Sequence, residues 1–154
     1  MREVSGVRPA VILLVEDDKG DQEITRRALE RAKIRNDLYL VEDGEEALNY
    51  LFREGSYADS SKSPRPDLVL LDLNLPKIDG RVVLERIRSS PKLKRLIVVI
   101  MTTSKQEEDI IRSYELGVNS YITKPMDFEQ FAKIIQEVGH YWFQVVVLPP
   151  QESG

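Results

Sequence analysis

Short unbroken apolar runs alternate along the chain with longer stretches whose apolar residues recur at helical spacing. The runs are Ala10-Val11-Ile12-Leu13-Leu14-Val15, Leu68-Val69-Leu70-Leu71 and Leu96-Ile97-Val98-Val99-Ile100-Met101. Runs without polar alternation predict strands buried on both faces. Leu38-Tyr39-Leu40-Val41 is a weaker strand, and Ser120-Tyr121-Ile122-Thr123 alternates as an edge strand does. Between them the spacing predicts five helices. The first is capped by Asp18 and turns Ile24, Ala28, Leu29 and Ala32 inward. The second opens at Asp43 with Glu46 three positions on, and carries Ala47, Leu48, Leu51 and Phe52. The third holds Val83, Leu84 and Ile87 and is ended by Pro91. A capping box, Ser104-Lys105-Gln106-Glu107, opens the fourth, with Ile110, Ile111 and Tyr114 inward and Gly117 as its stop. The fifth lines up Phe128, Phe131, Ile134, Ile135, Val138 and Trp142. Residues 55–66 are polar and hold two prolines, which predicts a surface insertion.

Five strands alternating with five helices imply right-handed βαβ units and a parallel sheet covered on both faces. With the second and fifth strands weakest, the expected arrangement is an α/β doubly wound (βα)5 fold. Its five-stranded parallel sheet takes the flavodoxin-like order 2-1-3-4-5. One domain over residues 1–154 is expected, with a core of about 9–142 and a C-terminal extension over 143–154.

Composition narrows the partners. Apolar content of 42% and charged content of 31% fit a globular protein of one core. The net charge of −4 offers no global attraction to DNA or an anionic membrane. The absence of cysteine excludes disulfides, thiolate metal sites and a thiol nucleophile. Without an apolar leader or a run of roughly 18 apolar residues, a cytoplasmic protein is expected.

The strand ends carry the chemistry. The first strand delivers Glu16 and Asp17, the third Asp72, the fourth Thr102 and the fifth Lys124. In a parallel sheet these ends share one edge, and the first and third strands flank the switch point where such sheets bind ligands. Carboxylates brought together there repel one another and need a cation. A hard divalent ion with oxygen ligands, Mg2+, meets that need. With Lys124 as a positive point and Thr102 as a hydroxyl donor, the set suits a phosphoryl group accepted onto Asp72. Taken singly, an acidic pair after a strand is a helix cap and a Lys-Pro is a turn. Their joint occurrence on the required strands favours the site.

The chain resembles a response regulator receiver domain over roughly residues 9–142. The matching residues are Val15-Glu16-Asp17-Asp18, Leu71-Asp72-Leu73-Asn74-Leu75-Pro76 with Asp79-Gly80, Met101-Thr102-Thr103, and Tyr121-Ile122-Thr123-Lys124-Pro125. The resemblance implies that Asp72 takes phosphate from a phosphohistidine of a sensor histidine kinase. It implies Mg2+ held by Glu16, Asp17, Asp72 and the backbone carbonyl of Asn74, with Glu16 acting through water. Thr102 and Lys124 would contact the phosphoryl oxygens, Thr102 and Tyr121 would form the switch, and the bond before Pro125 would be cis. Phosphorylation would then alter the face of the fourth helix, fifth strand and fifth helix. Such a chain is a phosphoacceptor that catalyses its own phosphotransfer and dephosphorylation, not a turnover enzyme. A narrower resemblance, to the small receivers paired with phytochromes, rests on three features. These are the long loop before Pro64-Arg65-Pro66-Asp67, the segment Leu73-Asn74-Leu75-Pro76-Lys77 with Asp79-Gly80-Arg81, and the tail from Trp142 through Val147-Leu148-Pro149.

Rival readings fail on particular residues. A haloacid dehalogenase-type phosphatase needs an acid two residues after its nucleophile, where this chain has Asn74. A flavin or nucleotide binder needs a Gly-rich or P-loop segment after the first strand, where this chain is acidic. A receiver-like scaffold without chemistry does not need the intact acidic set. The sole histidine, His140, is read as a surface or packing residue. The segment Tyr141–Pro149 is almost wholly apolar and must be covered, by its own domain or by a partner. A homodimer through the last helix, the fifth strand and this tail is expected, with output through contact with an unidentified downstream protein.

Overall fold

Residues 9–103 and 117–146 are described by the structure, a computed structural model, with side chains as far as Val138. Five strands, β1 (Ala10–Val15), β2 (Asn36–Val41), β3 (Leu68–Asp72), β4 (Ile97–Thr102) and β5 (Ser120–Thr123), form one sheet. All neighbours are parallel and the order is β2-β1-β3-β4-β5, as the alternation of runs and amphipathic segments predicts. Helices α1 (Lys19–Arg31), α2 (Gly44–Phe52), α3 (Gly80–Ser89) and a C-terminal helix (Phe128–Val146) complete the described fold. The helix expected from Ser104, with Ile110, Ile111 and Tyr114, lies outside the described residues. Gly117 beyond it has φ +72°, the left-handed conformation of a glycine stop.

The twofold period of a strand sends alternate side chains to opposite faces, and here both faces are covered. Leu13, Val15, Val69, Leu71, Val98 and Ile100 meet the inner sides of α2 and α3, built from Ala47, Leu48, Val83, Leu84 and Ile87. Ile12, Leu14, Leu68, Leu70, Val99 and Met101 meet Ala28 and Leu29 of α1 and Phe131, Ile135 and Val138 of the C-terminal helix. Every residue of β3 is buried, which is why this strand reads as an unbroken apolar run. Each such Leu or Val contributes roughly 1.5–3 kcal/mol by leaving water.

Four local expectations change. The buried face of α1 is Gln22, Thr25, Ala28 and Leu29, while Ile24 is half-buried and Ala32 is the C-cap. Polar residues can occupy that face because their bonds are made: Thr25 Oγ1 donates to the Asp21 carbonyl at 2.8 Å, and Gln22 is held as described below. Strand β2 begins two residues earlier than expected, since Asn36 and Asp37 pair with Ala10 and Val11 along an edge that tolerates polar side chains. The loop at 55–66 is more than a surface insertion. It opens with a 3-10 turn at Gly55–Tyr57, and Ser63 is buried with its hydroxyl donating to the Tyr57 carbonyl at 2.9 Å. Tyr50 OH donates to the Pro64 carbonyl at 2.7 Å, and the Tyr57 ring lies 5.3 Å from that of Tyr50. The C-terminal helix runs on to Val146, four residues past Trp142, whose side chain lies outside the described residues.

Register carries the strand ends to a common edge. Val15 pairs with Leu71, Asp72 with Met101 and Thr102 with Thr123. The ladder continues one step further, from Glu16 N to the Val41 carbonyl at 3.0 Å and from Lys124 N to the Thr102 carbonyl at 2.9 Å. Glu16, Asp72, Thr102 and Lys124 therefore sit at adjoining ladder positions. Behind them the loop after β3 turns back tightly. A Cβ on Gly80 would meet the Asp72 carbonyl oxygen at 2.5 Å, and one on Gly44 would strike the Ile78 carbonyl oxygen.

Both obstacles are backbone atoms and cannot yield cheaply. Gly44→Ala and Gly80→Ala should each lower stability by roughly 1–3 kcal/mol, read from urea unfolding midpoints. Gly20→Ala on the exposed side of α1, where the near atom is the capping Asp18 Oδ1 at 3.1 Å, should change stability by less than about 1 kcal/mol.

Candidate functional site

The edge where β1, β3, β4 and β5 end gathers the residues singled out by sequence. Oxygens of Glu16, Asp17 and Asp72 all lie within 4.8 Å of one another. Glu16 and Asp72 are buried and Asp17 is exposed, so the cluster opens to solvent on one side. Lys124 reaches in from the end of β5. Its Nζ donates to Glu16 Oε1 at 2.6 Å, to Asp21 Oδ2 at 3.0 Å and to Asp72 Oδ2 at 3.1 Å. An ammonium has three hydrogens, and three carboxylates take them. Thr102 ends β4, buried beside this group, and the Lys124–Pro125 bond is cis, as expected.

Local structure holds each oxygen in place. The other oxygen of Asp72, Oδ1, accepts from the backbone N–H of Asn74 at 3.0 Å, which sets Asn74 at the rim of the cluster. Glu16 Oε2 accepts from the Asp18 backbone N–H at 3.2 Å. Asp18 caps α1, its side chain accepting from Asp21 N at 2.9 Å. Gln22, on the buried side of α1, donates to the Glu16 carbonyl at 2.8 Å and to Glu42 Oε2 at 2.8 Å. It thereby ties the acidic turn to the end of β2. Tyr121 stands on β5, opposite Ile100, half-buried against the core on the α2 and α3 side.

Two of these residues were not legible as site residues. Asp21 looks like one more acid in the first turn of a helix, and Gln22 like a solvated polar residue. The only available signal was helical phase: positions 18, 21, 22 and 25 share the face that turns to the sheet edge.

Burial dominates the electrostatics. It pushes the Glu16 carboxyl up to about 7, against the hydrogen bond from Lys124 and with the help of the Asp72 charge. For Lys124, burial alone would lower the pKa. The hydrogen bond to Glu16 and the charges of Asp72 and Glu16 outweigh it and raise the ammonium above its ordinary value. Lys124 is thus a fixed positive charge, yet one ammonium cannot neutralise the surrounding acids. Hard, closely spaced oxygens with an excess of negative charge and one open side are what a six-coordinate Mg2+ with retained waters requires. Glu16, Asp17 and Asp72 fit that ion.

A doubly wound parallel sheet with an acidic pocket at the β1/β3 switch point, faced by a lysine from β5, defines a receiver domain. The chain belongs to the response regulator receiver domain family, whose description it matches over residues 12–136. It is 46% identical over 141 residues to the response regulator Rcp1 of Synechocystis, covering 92% of this chain and 94% of that one. Rcp1 has also been solved in a Mn2+-bound form, which superposes with a TM-score of 0.72 at 46% identity over 92% of this chain and 100% of that one. The bacteriophytochrome response regulator RtBRR superposes with a TM-score of 0.79 at 48% identity, over 86% of this chain and 79% of that one. The phosphorylated cyanobacterial phytochrome response regulator RcpA superposes at 0.73 with 46% identity, over 90% and 96%. The chain is therefore a response regulator receiver homologous to phytochrome-associated regulators.

The geometry divides the roles of Asp17 and Lys124. Asp17→Asn should weaken Mg2+ binding by roughly tenfold or more, as expected for losing a charged contact of about 1.5–3 kcal/mol. Lys124→Ala should leave Mg2+ affinity equal or tighter, because it removes a cation that competes for Glu16 and Asp72. Calorimetric titration of both variants decides this, and an equal loss in the two would refute the division.

Proposed function

We propose that this chain is a phosphoacceptor of a two-component relay, taking a phosphoryl group onto Asp72 from a phosphohistidine of a sensor histidine kinase. The observation that carries this reading is the approach of Lys124 Nζ to Asp72 Oδ2, at 3.1 Å, beside the cluster of three carboxylates. In the transfer, one Asp72 oxygen forms a bond to phosphorus as the bond from phosphorus to the imidazole nitrogen breaks. The imidazole leaves with the electron pair, and no proton need move at Asp72. Such a step asks for positioning and neutralisation of charge. Lys124 offers a fixed positive charge and Thr102 a hydroxyl at the end of the neighbouring strand. Glu16, Asp17, Asp72 and the Asn74 carbonyl would hold Mg2+, which neutralises phosphoryl oxygens when bound.

The response is a population shift, in which Thr102 is drawn toward the phosphoryl group and Tyr121 follows. The two residues stand on adjacent strands, which supports this coupling. The face of the fourth helix, fifth strand and last helix then signals to a downstream protein. On this reading the receiver acts as a phosphoacceptor that catalyses its own phosphotransfer and dephosphorylation, not as a turnover enzyme. A phytochrome-type kinase is the favoured donor, supported by similarity to RtBRR and RcpA. A cytoplasmic setting follows from such a kinase. Among the described residues, no helix is long and apolar enough to cross a membrane.

Acetyl phosphate with Mg2+ should add one phosphoryl group to the wild-type chain, seen as a mass gain, and Asp72→Asn should abolish it. An unchanged gain in that variant would refute Asp72 as the acceptor. The apolar segment from Tyr141 to Pro149 supports a homodimer on the last helix and β5. Light scattering should find a dimer for the full chain and a weaker one for a chain ending at Gly139. A monomer in both, with and without phosphodonor, up to about 100 μM (roughly 5–6 kcal/mol of association) would exclude it.

A further inference from the structure

Lys124 has no hydrogen to spare. Its three N–H groups are taken by Glu16, Asp21 and Asp72, at 2.6, 3.0 and 3.1 Å. A phosphoryl oxygen arriving beside Asp72 can receive a hydrogen bond from Lys124 only if one of these acceptors gives way. The three differ in what release would cost. The Glu16 side chain is wholly buried and makes the shortest contact, so releasing it would leave a bound Mg2+ alone to balance a desolvated acid. Asp72 is itself the group being modified, and its side chain is only 6% exposed. Asp21, at 34% side-chain exposure on the first turn of α1, can exchange Lys124 for water at the least cost.

We propose that Asp21 is a placeholder acceptor, a positioning residue that holds the third Lys124 hydrogen until the phosphoryl group takes it. The inference rests on the reading of Asp72 as phosphoacceptor and adds to it a residue that governs how readily Lys124 is available. Asp21 acts against the reaction in this account. It keeps the ammonium aimed at the pocket in the unmodified protein, and it competes with the incoming phosphoryl oxygen for the same hydrogen. The covalent change is that already described: a bond from an Asp72 oxygen to phosphorus forms, and the leaving group departs with its electron pair. Only the hydrogen-bond partner of Lys124 changes in addition.

The test compares the rate of mass gain from acetyl phosphate and Mg2+ in the wild type, Asp21→Asn, Lys124→Ala and the double variant, with Asp72→Asn as control. Asp21→Asn should react roughly threefold or more faster than the wild type, the size expected for a partly exposed charge pair. In the Lys124→Ala background the same substitution should change the rate little, because there is no ammonium left to compete for. A merely structural role for Asp21 would not produce that dependence on Lys124. An unchanged or slower Asp21→Asn overturns the placeholder, as does an equal acceleration in both backgrounds, which would mean simple repulsion of the anionic donor. NMR of the Lys124 ammonium supplies a reading that does not need the slow Lys124→Ala reaction. Its hydrogens should exchange with water faster in Asp21→Asn, and an unaltered exchange rate overturns the proposal. No mass gain in the wild type, or a gain surviving in Asp72→Asn, would overturn the acceptor reading and this inference with it. A normal wild-type gain with no effect at Asp21 overturns the inference alone.

Discussion

One ammonium group joins parts of the chain that are far apart in sequence. Through Lys124, the end of β5 is bonded to the turn after β1, the first turn of α1 and the end of β3, a span of 108 residues from Glu16 to Lys124. Burying Glu16 and Asp72 would be costly without this partner, since an unpaired charge at a low-dielectric edge loses its solvation uncompensated. Burying Lys124 would be costly without them. The acids and the lysine are therefore acceptable only as a set, and the sheet edge they occupy must be closed by all the strands that supply them.

That requirement explains why the two cores matter to the site. Each strand is fixed by side chains on both faces, so a slip of one residue in register would move every apolar residue to the wrong core. The same slip would carry Asp72 away from Glu16 and Lys124 away from Thr102. Packing on the α1 side and on the α2 and α3 side thus sets the position of the charged groups at the strand ends. Gly44 and Gly80 extend this control to the loop after β3, where the backbone of one segment lies against that of another and leaves no room for a side chain.

Further from the edge, the segment between α2 and β3 illustrates how polar chain can be structural. Tyr50, buried beneath it, spends its hydroxyl on the Pro64 carbonyl, and Tyr57 donates to Glu46 at 2.6 Å. Glu46 in turn accepts from the Glu42 backbone at 2.9 Å, just past β2. A loop that is polar by composition is held by two aromatic residues: the Tyr50 hydroxyl reaches out to it from α2, and the Tyr57 hydroxyl, within it, reaches back to α2. The loop and the start of α2 are therefore one packed unit.

Much of this was legible in the chain itself. Buried strands are written as unbroken apolar runs, and their ends as the first polar residues beyond, so β1, β3 and β4 and the residues Glu16, Asp17, Asp72, Thr102 and Lys124 could be read directly. The sheet order followed, because weak alternating strands belong at edges and parallel connections turn one way. What the chain could not disclose is which polar side chains leave the surface. Gln22 and Thr25 carry the same local signal as solvated helix residues, and Ile24 a stronger apolar one, yet the first two are buried because bonds await them there. Asp21 stands 103 residues from Lys124. Periodicity reports whether a side chain prefers water, but not which group from another strand will meet it; only the closed sheet brings that ammonium to within a hydrogen bond of α1.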